Sequence, residues 1–137
     1  MSIENVALPA PSELPACPVE TTLSLIGNKW QVLILRDLMG ETKRFKELQR
    51  SIGGISQKVL TSNLRTMESQ GLVHRRVYAE VPPRVEYSLT KLGASLKPVL
   101  DAMGTWGTFY KKLAAMQNGE AETEPQVKAA DSIQQQE

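Results

Sequence analysis

The 137-residue chain has one cysteine, Cys17, and one histidine, His74. An internal disulfide is excluded, and so is a zinc cage built from Cys and His. No apolar run approaches the ~18 residues that span a bilayer, and Arg36 and Asp37 interrupt the most apolar stretch. The start, MSIENVALPAP, has no basic segment followed by an apolar one, so no secretory leader is expected and the compartment is read as cytoplasmic. Paired carboxylates in a glycosidase-like setting, a phosphate-cradling glycine loop and a nucleophile–base–acid set are all missing. Gly53-Gly54 lacks a following lysine and reads as a turn. No catalysis, cofactor, metal or membrane partner is expected.

What is present is an uneven distribution of charge. The net charge is +1. Residues 1–16 carry two acids and no base, residues 17–113 fifteen bases against eight acids, and residues 114–137 one base against five acids. A basic body between acidic ends points to a polyanion as partner. Residues 1–16, with Pro9, Pro11 and Pro15, read as a flexible arm, and 17–116 as one folded domain. Residues 117–137 read as a disordered acidic tail, too poor in large apolar residues to offset their ordering entropy.

Within the body the periodicity predicts mostly helix. Cys17-Pro18 opens a first helix that ends at Gly27. Asn28 caps a second, KWQVLILRDLM, apolar around most of its circumference and therefore central. Thr42 is expected to cap KRFKELQRSI, and after Gly53-Gly54 Ser56 opens QKVLTSNLRTMESQ. Ile55 and Leu60 are spaced as a hydrophobic staple across that start. Two short amphipathic helices joined by a glycine turn form a helix-turn-helix pattern. After Gly71 the period becomes 2, and LVHRRVY and RVEYSL predict a two-stranded hairpin, a wing, joined by AEVPP. Thr90 is expected to cap one long last helix to about Lys112, kinked at Pro98. Its apolar residues lie on more than one face, Leu92, Leu96, Leu100 and Met103 beside Val99, Trp106 and Tyr110. One core covers one stripe, so the other implies a partner subunit. The fold class is mostly α with a small β-hairpin wing, a winged helix-turn-helix with terminal dimerisation helices.

The second helix of the pair is the richest in chemistry. Leu60, Leu64 and Met67 form its core stripe. The opposite stripe is Gln57, Lys58, Thr61, Ser62 and Arg65, with amide, hydroxyl and cationic groups and no carboxylate. Those groups read base edges and phosphates in a major groove. Lys43, Arg44 and Lys46 lie at or beside the start of the preceding helix, with Arg50 at its far end. Arg75, Arg76 and Arg84 flank the hairpin, where phosphate or the minor groove would pass. Cys17 sits where helix N–H groups favour a thiolate, while Glu20 opposes it. A structural cysteine and a redox sensor both remain open readings. Two rival functions are a winged-helix module that binds protein and a thiol enzyme using Cys17. The first fits poorly with a polar recognition face, and the second lacks a resolving cysteine and would need the distant His74.

The string Cys17-Pro18-Val19, Ile26-Gly27-Asn28-Lys29-Trp30 and Leu33-Ile34-Leu35-Arg36-Asp37-Leu38 resembles the opening of HxlR-type transcriptional regulators. Arg44-Phe45, Glu47-Leu48, Ile55-Ser56-Gln57-Lys58, Leu60-Thr61, Leu64-Arg65, Glu68 and Gly71-Leu72 continue the resemblance, as do Tyr78, Pro82 through Thr90, and Gly93. It departs at Asn28, where a second glycine is usual, and at Lys46. The resemblance implies a MarR-like winged-helix homodimer on double-stranded operator DNA, with recognition residues at Gln57, Lys58, Thr61, Ser62 and Arg65. In several members a cysteine at the position of Cys17 senses oxidants or electrophiles, and whether a small-molecule effector acts here stays an open reading. A lysine that some members carry two residues later is Val19 here.

Overall fold

The computed structural model describes residues 7–119, which fall into two compact units divided between Leu96 and Lys97. The first unit contains α1 (Pro18–Ile26), α2 (Lys29–Leu38), β1 (Lys43–Arg44), α3 (Phe45–Ile52), α4 (Gln57–Ser69), β2 (Val73–Tyr78), β3 (Arg84–Leu89) and α5 (Lys91–Ala94). The second is the helix α6 (Lys97–Gln117). Within the span read as an arm, Pro11–Glu13 form an exposed 3-10 turn. The predicted acidic tail lies outside the described residues from position 120 on.

The expected caps govern α2 and α4. Asn28 Oδ1 accepts from the Gln31 N–H at 2.9 Å, and Ser56 Oγ from the Val59 N–H at 3.1 Å. Each satisfies one of the N–H groups that a helix start leaves unpaired. Ile55 and Leu60 are both buried, as the staple requires. Gly53 and Gly54 both have φ near +70°, the left-handed region that makes this turn a glycine site.

The core of the first unit is aliphatic. Ile34, Leu35 and Leu38 of α2 meet Leu48 of α3, Leu60, Leu64 and Met67 of α4, and Leu72, all essentially inaccessible. Burying each such side chain is worth about 1.5–3 kcal/mol. Polar links add register. Asn28 Nδ2 donates to Asn63 Oδ1 at 3.2 Å, Gln31 Nε2 to Gln70 Oε1 at 3.4 Å, and Gln70 Nε2 to the Ser24 carbonyl at 3.3 Å. Asn28, the departure from glycine, thus caps α2 and also holds α4.

Three details correct the expected outline. The wing is a three-stranded antiparallel sheet in the order β1-β3-β2, because Lys43 and Arg44 pair with Tyr87 and Glu86. Consequently α3 begins at Phe45, and Thr42 is not its cap. Arg44 takes that place, and its N–H is satisfied by Glu47 Oε1 at 2.8 Å. The last helix is divided, with Thr90 capping the short α5 at 3.0 Å and a new helix starting at Lys97. Pro98 falls in the first turn of α6, where a missing N–H is harmless.

Candidate nucleic-acid interface

The core stripe of α4 turns its other side outward. Gln57, Lys58, Thr61, Ser62 and Arg65, with Thr66, line one open groove of about 710 Å³. The five expected recognition residues are therefore brought together. Leu60, Leu64 and Met67 at 0–1% exposure lock the helix from behind, so the groove's polar groups sit on a rigid support.

A second cleft, of about 510 Å³, opens between α4 and the sheet. Phe45, Gln57, Thr61, Leu64, Arg65, Glu68, Arg75 and Tyr87 line it. Arg75 and Tyr87 are cross-strand partners, and Lys43 is the partner of Tyr87 on the other side. Directly opposed residues share a face of a sheet, so Lys43, Tyr87 and Arg75 form one row towards α4. Glu68 and Thr66 were not anticipated as part of this surface. Glu68 lies eleven residues after Gln57, three helical turns on, a spacing that places it at the end of the same stripe.

The remaining cations do not form one surface. Arg76 and Arg84 project from the opposite face of the sheet, and both stack on Tyr78, at 4.6 and 3.8 Å from its ring centre. Arg84 also donates to Glu80 Oε2 and Glu86 Oε2, each at 2.9 Å. Burial works against its charge, but Glu80 and Glu86 outweigh that and hold the guanidinium above its ordinary pKa. Arg84 therefore braces the wing, its charge already matched within the hairpin. Lys43 is engaged by Glu41 at 2.9 Å, which raises its pKa. Lys46 lines a shallow groove with Gln49, Arg50 and the Gly53-Gly54 turn, and Arg44 is exposed. Cys17 is exposed at the N-cap of α1 and its side chain makes no cap hydrogen bond. It is not part of the core. His74 is exposed on β2 opposite Ser88. Among the described residues no cluster of three or more His, Cys, Asp or Glu is placed to hold a metal, and no helix is long and apolar enough to cross a membrane.

A helix-turn-helix with an acid-free outer groove on its second helix and a basic wing beside it defines a DNA-binding transcriptional regulator of the winged-helix class. The model of the HxlR-like helix-turn-helix family matches residues 25–115, and the chain belongs to that family. It is 48% identical over 99 residues to the helix-turn-helix-type transcriptional regulator YdeP of Bacillus subtilis, covering 72% of this chain and 77% of YdeP. Among solved structures, the redox regulator HypR in its reduced form superposes with a TM-score of 0.68 at 42% identity, over 73% of this chain and 99% of HypR. The reduced form of the regulator YodB from B. subtilis gives 0.60 at 41% identity, over 67% of this chain and 91% of YodB.

Proposed function

We propose that the chain reads double-stranded operator DNA as a homodimer and regulates transcription by occupancy, not catalysis, in the cytoplasm. The observation that carries this reading is the open groove of α4, lined by Gln57, Lys58, Thr61, Ser62, Arg65 and Thr66 without a carboxylate. Gln57 and Arg65 carry the bidentate groups that distinguish adenine and guanine. Arg44, Lys46, Arg75 and Arg76 supply phosphate contacts, and Arg84 positions Arg76 through the shared Tyr78 ring. In each half of the dimer α4 enters the major groove, and the wing lies along the flanking backbone.

Gel shifts on a duplex selected by the protein from a random library, against a scrambled duplex, test the assignment. Arg65→Ala or Gln57→Ala lowers affinity for the selected duplex by about 1–3 kcal/mol. Lys46→Ala weakens both duplexes alike and reduces the salt slope by about 1. Equal, wild-type binding by all three variants rules the surface out.

The effector reading rests on Cys17, whose thiol is exposed to solvent at the start of α1. With one cysteine per chain, oxidation leads to a sulfenic acid, a mixed thiol adduct or a bridge to the second subunit. Cys17→Ser is expected to bind the selected duplex as wild type does and to lose any response to peroxide. A response that persists in this variant removes Cys17 from signalling.

A further inference from the structure

We propose that Glu68 is a specificity-determining residue, an anionic filter that weakens the grip of the DNA face on arbitrary duplex. The inference rests on the DNA-binding reading above and concerns the same surface. Glu68 is the one carboxylate lining the cleft between α4 and the sheet, where it shares the walls with Arg65 and Arg75. It is half-buried, one helical turn from Leu64, which lines the same cleft, on a helix held in the core by Leu60, Leu64 and Met67. Its backbone is therefore fixed at the wall of the cleft. Among the described residues none of Glu68, Arg65 and Arg75 is engaged in an ion pair. This contrasts with Arg36, Lys43, Arg84 and Lys97, each of which is matched to a carboxylate.

The consequence follows from what each kind of DNA complex presents to the cleft. A non-specific complex is held by phosphates, and a carboxylate beside two guanidiniums repels the group those guanidiniums attract. A specific complex seats the stripe Gln57–Thr61–Arg65 against base edges. There Arg65 is engaged by a base edge instead of a phosphate, so fewer phosphate oxygens approach the carboxylate beside it. The negative charge thus costs more affinity on the wrong duplex than on the right one, and specificity is that difference.

The test measures Kd for the selected and the scrambled duplex, each across a salt series, for wild type, Glu68→Gln and Glu68→Asp. Glutamine keeps the shape of the side chain and removes the charge, whereas aspartate keeps the charge. Glu68→Gln is expected to tighten scrambled-duplex binding roughly 3- to 10-fold while moving selected-duplex binding by less, so the affinity ratio falls. Glu68→Asp keeps a ratio close to wild type. An unchanged ratio in Glu68→Gln, or a loss confined to the selected duplex, overturns the filter. If Glu68→Gln unfolds, Glu68→Ala, which also removes the charge, carries the same test with the same two outcomes. Arg65→Ala in the same series separates the two levels. Should it bind the selected duplex as wild type does, the DNA face itself is wrong. Should it weaken that binding while Glu68→Gln leaves the ratio untouched, only the filter is wrong.

Discussion

Which cations are free is decided residue by residue, by the carboxylate each one meets. Asp37 shows the structural use of such a pair. It accepts from Arg36 Nε at 2.5 Å and Arg36 Nη2 at 3.1 Å, and Ser51 of α3 donates to it at 2.7 Å. Burial pushes its pKa up, but the hydrogen bonds from Arg36 and Ser51, with the charges of Arg36 and Lys43, outweigh that and leave it below its ordinary value. A carboxyl whose folded pKa is lowered adds stability that is complete above the unfolded value of about 4 and is lost as pH falls through the folded one. Arg36 is half exposed, so solvent screens its part, and Asp37→Asn is expected to cost about 1 kcal/mol at neutral pH. Urea midpoints measured from pH 7 downwards check this. The gap between variant and wild type closes as the solution is acidified below pH 4, and a gap that persists there excludes the ionised carboxylate as its source.

At the scale of elements, the end of β3 is tied back to the connection between α4 and β2. Thr90 Oγ1 donates to the Gly71 carbonyl at 2.6 Å, the Thr90 N–H donates to Leu72 O at 3.0 Å, and the Gly93 N–H donates back to Thr90 Oγ1. Gly93 is buried against the same strand start, and a Cβ there would collide with the carbonyl of Leu72. Backbone cannot yield as a side chain tip can, so Gly93→Ala is expected to destabilise the first unit by about 1–3 kcal/mol. Denaturant unfolding with an unchanged m-value reads that cost directly, and a wild-type midpoint contradicts it. This junction shows what the sequence made legible. Thr90 as a cap, though of a shorter helix than expected, the helix order, the staple and the polar stripe of α4 all follow from local spacing and side-chain chemistry. Lys43 and Arg44 as a strand do not, because a two-residue pairing with β3 has no period and depends on partners more than forty residues away. The bracing of Arg84 by Glu80 and Glu86 was equally hidden, since a basic residue beside a hairpin looks the same whether it faces phosphate or a carboxylate. Glu68 is within reach of helical arithmetic, but its carboxylate sets it apart from a stripe defined by amide, hydroxyl and cationic groups.

For the whole molecule, the second unit poses the question of a partner. No residue of α6 is buried, although Met103, Trp106, Tyr110 and Leu113 lie on it with 41–58% exposure. Their spacing alternates three and four residues, the seam along which one helix packs against another. Trp106 stacks on Tyr110 at 5.2 Å and meets Phe109 edge-on at 6.4 Å, so the stripe is ordered as a surface before any partner arrives. A second copy of the helix is the occupant that DNA reading calls for. A two-fold pair sets two recognition helices about 34 Å apart on one side of a duplex. We therefore expect wild type to sediment at twice the 15.2 kDa of one chain. Trp106→Asp places a charge in the seam and is expected to sediment as a single chain. The first unit carries its own core, so the variant keeps its helical circular dichroism. What it loses is the joint hold on two half-sites, roughly 10²- to 10⁴-fold in affinity for the selected duplex, with a smaller loss on a single half-site. Wild type sedimenting as one chain at micromolar concentration would remove the two-fold reading, and a dimeric Trp106→Asp with intact duplex affinity would move the interface elsewhere.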